Sequence, residues 1–493
     1  MEQGRNKWWT LGAVCVATFM LLIDITIVNV ALPAIAKDLH SSFTDLQWVV
    51  DAYALSLASL LLTAGSLADL FGRRRIFVIG LAVFTLSSLL CGLATSPGFL
   101  NAARALQGVG GAAMFATSLS LLAQAFSGKE RGTAFGIWGA TIGAAVAIGP
   151  LVGGALTEHV SWQSIFLVNL PVGIGAIVVA LTRVADSRDP EHAGVDWPGL
   201  LSFSGGLFCL VYALVRGNAE GWTSGKIVAF LVAAVVLLVI FVVVESRRER
   251  AMFDLSLFRR PAFAGASIAA FSLSAGMFSL FLYITLYMQN TLQLSPMATG
   301  LRFLPMTVVS FFAAPLSGKL QGKLPFRAFF AIGLGLVGVG LLLMRQVDAS
   351  SGWTAMLAGF IVAGAGIGTT NPALATTAVG VVEPRRSGMA SGINNTFRQV
   401  GIATGIAGLG ALLEHLVSSR FHSHIPSEVL ATGSVKVIPP GMRHDYLVAF
   451  TGALDDLFLV GAIACFAGAV LAGLLVRSQD FVGHHHEAAP SGG

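Results

Sequence analysis

The chain repeats one pattern along its length: an apolar run of about twenty residues, then a short break carrying charge or turn residues. A helix rises about 1.5 Å per residue, so a run of ~20 residues matches the ~30 Å hydrocarbon core of a bilayer. The runs fall at about 8–32, 47–67, 76–95, 99–124, 133–156, 165–183, 198–215, 226–244, 263–287, 297–317, 327–345, 353–378, 387–415 and 454–476. Barrel strands would instead alternate over segments of roughly ten residues. Only 11% of the chain is charged, against about a quarter in soluble proteins, too little to cover a water-facing surface. An ordinary soluble enzyme and a disordered or fibrous chain are therefore excluded. The expected class is an all-α polytopic membrane protein.

The charge pattern orients these runs. A net charge of +5 does not point to nucleic acid, because the basic residues sit in short bursts between apolar runs. An even number of crossings puts both ends on one side. Alternate breaks then carry twenty Lys and Arg on that side, including Arg73 to Arg75, and eight on the other; Arg104 and Arg398 lie inside runs. This asymmetry predicts a multi-pass protein of the cell membrane with both termini in the cytoplasm. The first run is too long for a cleaved signal peptide and lacks a small-residue cleavage pattern. Cys15, Cys91, Cys209 and Cys465 each stand alone in apolar runs, so neither disulfides nor metal sites are expected. The ten histidines lie in breaks, run ends or the tail, and His484 to His486 are not read as a metal site. Any proton coupling therefore falls to carboxylates. No phosphate-binding loop, zinc-protease helix or nucleophile elbow is present, which argues against an enzyme and for an ion gradient as the energy source, with no cofactor.

Two breaks resemble each other. The second run is followed by GSLADLFGRRR at 65–75 and the tenth by SGKLQGKLPFR at 317–327, a weak repeat of the kind two-halved transporters carry. GSLADLFGRRR is also similar to the loop signature of the major facilitator superfamily. LLIDITIVNVALP (21–33), NAARALQGVGGA (101–112) and GAAVAIGPLVGG (143–154) resemble signatures of its fourteen-span drug:proton antiporters, the QacA/EmrB type. SWQSIFLVNLPVG, LYMQNTLQLSPMATGLRFLP and SGMASGINNTFRQVG support the likeness, which runs from about residue 8 to 476. The resemblance implies a major facilitator fold: a cytoplasmic N-terminus at 1–7, a six-helix bundle at 8–183, a linker with two inserted helices at 184–262, a second bundle at 263–476 with an outer loop at 416–453, and a disordered cytoplasmic tail at 477–493. It implies a secondary transporter exporting hydrophobic or amphipathic, often cationic, compounds by proton antiport. A dedicated exporter of one antibiotic, metabolite or lipid precursor is the nearest alternative; a receptor or scaffold that moves nothing has less use for intramembrane charges. Small molecules, protons and the bilayer are the expected partners, nucleic acid is not, and a monomer is compatible with the plan.

Few ionisable residues lie within runs, and each costs about 2.5–3.5 kcal/mol at the bilayer centre if unpaired. Asp24 lies roughly 12 Å below the outer end of the first run and Arg104 roughly 8 Å below that of the fourth, so the two can meet if those helices are neighbours. They form a proton-coupling pair or a static ion pair. Asp51, where the family often has an uncharged residue, is a further coupling candidate or an outer-water charge. Asp455 and Asp456 read as span-end charges. Arg398, roughly 16 Å into its run, has no evident acidic partner; it contacts substrate or backbone carbonyls. In the 65–75 break, Gly65 and Gly72 permit a tight turn and close approach. Asp69 can accept from a helix N-terminus, and Arg73 and Arg74 can pair with acids. The family reading makes this a latch; orientation of the chain is the alternative. Gly132, Gly136, Gly139 and Gly143 form a small-residue stripe continued by Gly149, Pro150, Gly153 and Gly154, either for packing or for a sliding contact between halves. Thr26, Asn29, Gln107, Asn169, Tyr283, Tyr287, Gln289, Asn371, Asn394, Asn395 and Arg398 are candidate cavity residues. Their sparse polar groups suit amphipathic compounds better than sugars.

Overall fold

The apolar runs become helices that outlast them. In a computed structural model, residues 2–41, 43–187, 196–247, 253–321, 323–383 and 386–477 are described. The 478–493 tail with His484 to His486 and the side chains of Asn29 and Pro150 lie outside the described residues, as do Arg188, His192, Arg248, Arg250 and Arg385. Fourteen long helices follow one another: α1 Glu2–Asp38, α2 Phe43–Phe71, α3 Arg73–Gly92, α4 Pro97–Ala125, α5 Gly128–His159, α6 Ser164–Arg183 broken at Val168, α7 Trp197–Glu220 and α8 Gly225–Ser246. Then come α9 Pro261–Thr291, α10 Pro296–Leu320, α11 Phe326–Leu343, α12 Leu357–Gly380, α13 Ser387–Arg420 and α14 Arg443–Leu475. Thirteen of the described helices are long and apolar enough to cross a membrane; α5 has 32 residues.

Local chemistry sets the helix starts. Ser96, Asp196, Ser224 and Ser295 each accept a backbone N–H three residues on, and three of them precede a proline in the first turn. Side-chain caps satisfy otherwise orphaned amides, and proline is tolerated where no intrahelical donor is needed. Pro305 and Pro315 do not end α10. α9 carries two wide π turns, Ser274–Phe278 and Tyr287–Thr291.

The outer part of the molecule corrects one sequence boundary. α13 continues to Arg420 and α14 begins at Arg443, so the 416–453 loop shrinks to 421–442. Hydropathy reports only the part of a helix that sits in hydrocarbon, whereas helical hydrogen bonding continues past it. Tyr446, three residues into α14, donates to the Leu430 carbonyl at 2.7 Å. Asp455 and Asp456 consequently lie well inside α14, and Asp456 pairs with Arg420 of α13 at 2.5 Å.

Packing divides the helices. Two apolar clusters draw mainly on α1–α6 and a third mainly on α7–α14, with Leu55, Ala58 and Leu62 of α2 joining the third. The halves meet where α5 packs on α10 and α12, and α2 on α13. The inserted pair sits beside α2 and α13 through α7. α8 is peripheral: only 17% of its apolar window is buried, against 78% for α4, and Val232, Val235 and Val239 point outward.

The 65–75 and 317–327 breaks occupy matching places, between the second and third helices of each half. Their glycines also match. A Cβ on Gly65 would strike the Gly388 carbonyl at the start of α13, and a Cβ on Gly318 would strike the Gly132 carbonyl at the start of α5. Each half thus lays its second helix against the fifth helix of the other.

Candidate functional site

Asp24 and Arg104 are brought together and sealed. They are 0% and 1% exposed, and Arg104 donates to Asp24 Oδ2 at 2.5 Å. Gln107 ties the pair: its amide donates to Asp24 Oδ1 at 2.9 Å while its carbonyl accepts from Arg104 at 2.7 Å. Asn169 donates to Asp24 Oδ1 at 3.5 Å and to Ser88 at 3.0 Å. Arg104 also donates to the Val49 carbonyl at 2.9 Å and lies 4.3 Å over the Tyr53 ring. One carboxylate is therefore held by α1, α4 and α6, and its cation by α2 and α4. Such a buried pair is maintained only when its remaining donors and acceptors are satisfied. Gln107 belongs to this network rather than to a substrate wall. Ser88 and Tyr53 were not legible in the sequence, since a serine or tyrosine in an apolar run carries no sign of its partner.

At the end of α2 that leads into the 65–75 break, Asp69 links the halves. It is 3% exposed and accepts from the backbone N–H of Gly388 at 3.0 Å and of Met389 at 2.8 Å. These are amides of the first turn of α13, which lack intrahelical acceptors and favour a negative charge. Arg73, one turn on, reaches the same carboxylate at 2.9 Å. Gly72 adopts φ +110°, and a Cβ there would lie 2.8 Å from the Asp186 carboxylate, so the one-residue joint between α2 and α3 requires glycine on both counts. Arg74 does not reach α13. Its guanidinium donates to the Val184 carbonyl at 3.2 Å and its N–H to Asp186, so it ties α3 to the end of α6 within one half. Gly65 and Gly388 let α2 and α13 touch backbone to backbone.

The glycines of α5 serve three neighbours rather than one. Gly132 and Gly136 face α10, where a Cβ on Gly136 would lie 2.8 Å from the Ala314 carbonyl oxygen. Gly139 faces Asn371, and Gly143 faces Ser310 at an ordinary 3.6 Å. Gly149 and Gly153 face α1 instead, against Thr26 and Ile27, and Gly154 has only Met297 at 3.9 Å. The seam is tight at its inner end and looser midway. Gly136→Ala is accordingly expected to cost about 1–3 kcal/mol by overpacking, and Gly143→Ala within about 0.5 kcal/mol. Denaturation midpoints of the purified variants check this; equal midpoints would mean that the inner seam yields.

Asp51 is not near Asp24. It turns to α7, where Arg216 lies 3.7 Å away. Arg216 also meets Glu220 at 3.1 Å and Gln47 at 2.7 Å, and Asn218 of the same helix donates to the Ala407 carbonyl of α13 at 3.1 Å. The outer ends of α2 and α13 are thus both tied to α7. Because Glu220 still compensates Arg216 when Asp51 is neutral, Asp51→Asn is expected to cost no more than about 1 kcal/mol of stability; a larger loss in the denaturation midpoint of the purified variant would show that Glu220 does not compensate.

The candidate cavity residues divide likewise. Thr26 bonds to the Ile23 carbonyl of its own helix at 3.0 Å and packs on Gly149. Tyr283 donates to Ile406 at 2.5 Å and Tyr287 to Ser351 at 3.0 Å; both are buried inside the second half, so they brace it rather than line a cavity. Gln289 is half-buried in the last wide turn of α9. Asn371 and Arg398 are brought together from α12 and α13, Arg398 donating to Asn371, and Asn371 lies against Gly139 of the first half; Asn394 lies one turn before Arg398 on α13.

The comparisons agree with this architecture. A family model described as Major Facilitator Superfamily matches residues 14–406. The Tetracenomycin C resistance and export protein of Streptomyces glaucescens is 36% identical over 85% of this chain and 78% of its own length. The Puromycin resistance protein pur8 of Streptomyces alboniger is 34% identical over 93% and 91%, and the Multidrug resistance protein Stp of Mycobacterium tuberculosis is 36% identical over 86% and 79%. Among solved structures, the human organic anion transporter MFSD10 aligns over 93% of this chain and 99% of that one with a TM-score of 0.57 at 14% identity, a likeness of fold alone. With its helical halves meeting along α2–α13 and α5–α10, and with the family match over most of its length, the chain is a membrane transporter and belongs to the Major Facilitator Superfamily.

Proposed function

We propose that this chain exports antibiotic-like amphipathic compounds from the cytoplasm in exchange for protons, by alternating access between two six-helix bundles. Export is supported by relatives named for resistance and export that align over more than three quarters of both chains. The bundles are 8–183 and 263–476, with the inserted pair in 184–262, as in fourteen-span antiporters. The basic bias of alternate loops supports cytoplasmic termini in a cell-membrane protein.

The observation that carries the coupling is the sealed Asp24 network. Its carboxylate accepts from Arg104, Gln107 and Asn169, donors carried by other helices. Rearrangement of α1 against α4 and α6 would break these bonds and free the carboxylate to exchange a proton. Asp69 on the α13 amides holds the state whose inner end is closed; breaking that contact opens the seam to the cytoplasm. The test is compound-dependent proton release from acid-loaded inside-out vesicles, in wild type and Asp24→Asn. Release in the wild type that is absent in the variant supports the reading, and release unchanged in the variant removes Asp24 from it.

A further inference from the structure

Arg398 is a buried charge that neither the Asp24 network nor the inner latch uses. It is 7% exposed. Its guanidinium donates to Asn371 Oδ1, and among the described residues it has no ion pair and no charged side chain acting on it. The groups beside it are open as well. Asn371 Nδ2 and Asn394 Nδ2 are buried donors without a hydrogen-bond partner among the described residues. Asn394 precedes Arg398 by four residues and so shares its helix face.

The cluster lies on the seam between the halves. Asn395, the next residue of α13, donates across it to the Phe115 carbonyl of α4 at 3.2 Å. From the other side Gly139 of α5 approaches Asn371 so closely that a Cβ would lie 3.3 Å away. Alternating access must part this seam, so a compound crossing the protein meets these groups.

The groups on this face are mostly donors, with Asn395 Oδ1 an orphaned acceptor near them. Asp24 and Arg104 neutralise each other, whereas Arg398 has no ion pair among the described residues. A buried guanidinium lacking an anion is costly, and planar oxygen acceptors match its fork of donors. Asn371 and Asn394 add amide donors, and among the described residues no carboxylate pairs with this group. We infer that the seam selects compounds bearing a carboxylate, phenolate or similar oxygen acceptor, held by Arg398 with Asn371 and Asn394 beside it, and disfavours permanent cations. This rests on the export reading and narrows its substrate class beyond the often-cationic amphipaths expected from the sequence.

Three matched fluorescent probes test it on the purified full chain in detergent: anthracene-9-carboxylate, anthracene-9-carboxamide and anthracen-9-ylmethylammonium. The carboxylate is expected to bind at least tenfold tighter than the ammonium, with the amide between them. Arg398→Gln should weaken carboxylate binding at least tenfold and leave ammonium binding unchanged or tighter, and Arg398→Lys should recover part of the carboxylate loss. Ammonium binding equal to or tighter than carboxylate binding, or no binding of any probe, overturns the inference, and this ranking needs no variant. If Arg398→Gln does not fold, Asn394→Leu takes its place, with an expected threefold loss for the carboxylate alone; an unchanged ranking and affinity in a folded variant also overturns it. Failure of the export reading is separately visible, as wild-type vesicles that release no protons with any compound whatever the binding order.

Discussion

Asp24→Asn is expected to abolish compound-dependent proton release and to lower the stability of the folded transporter. The variant keeps the shape of the side chain but removes the charge that Arg104 faces at 2.5 Å. Removing one member of a buried pair costs about 3–5 kcal/mol, because the other charge stays in a low-dielectric site without compensation. Loss of flux in this variant therefore mixes coupling with damage. The double variant Asp24→Asn/Arg104→Gln separates them, since neither side chain is then charged and Gln107, Asn169 and Val49 still offer hydrogen bonds. Its melting temperature is expected to return most of the way to wild type while proton release stays absent. A double variant that is stable and still releases protons would make the pair purely structural and send the search for the proton carrier elsewhere.

The second large effect is expected at the inner end. Asp69→Ala removes the acceptor of two buried backbone amides at the start of α13 and the partner of Arg73. An unsatisfied buried donor costs about 1–3 kcal/mol, and the cost falls on the inner-closed state alone if opening hydrates those amides. At 1.4 kcal/mol per factor of ten, the inner-open population should rise roughly tenfold or more. A reporter is available at Ser391, which is fully buried on the inner part of α13. With the four native cysteines replaced, Ser391→Cys in inside-out vesicles should react with a membrane-impermeant maleimide about ten times faster when Asp69 is alanine. An unchanged rate would show that Asp69 does not control opening. The Gly65–Gly388 contact is a steric version of the same test, since any side chain at either position pushes the two helices apart.

Much of this site could be named from the sequence, but the pairings could not. Asp24, Arg104 and Asp69 stood out because a charge inside or beside an apolar run is costly and needs a reason. Gln107 and Asn169 also stood out as lone amides in apolar runs, and both proved to be donors to Asp24. Ser88, Tyr53 and the Val49 carbonyl had no such contrast. Asp51 was equally visible as a charge, yet its alternation along α2 with Val49 and Tyr53 turns it to Arg216 of α7 while its neighbours face Arg104. Tyr283 and Tyr287 were polar tips on an apolar helix, and only the surrounding carbonyls show that they brace one half.

Crossing number, sidedness and turning points are properties of one dimension. A run of ~20 apolar residues, a basic break and a glycine at a turn can be read without knowing any neighbour. The sequence by itself therefore determined that this chain is a helical membrane protein of paired halves, and which few charges it carries inside. It did not determine which face each helix turns to which partner. In water the buried face of a helix betrays itself by its period, because the other face must be polar. In a bilayer both faces are apolar, lipid on one side and protein on the other, so the period fades. Helix rotation was settled by close contacts instead: Gly65 against Gly388, Gly136 against Ala314, Gly149 against Thr26. Those contacts, decided only in three dimensions, put Asp24 against Arg104, set Asp69 on the first amides of α13, and left Arg398 beside Asn371 with no counter-charge among the described residues.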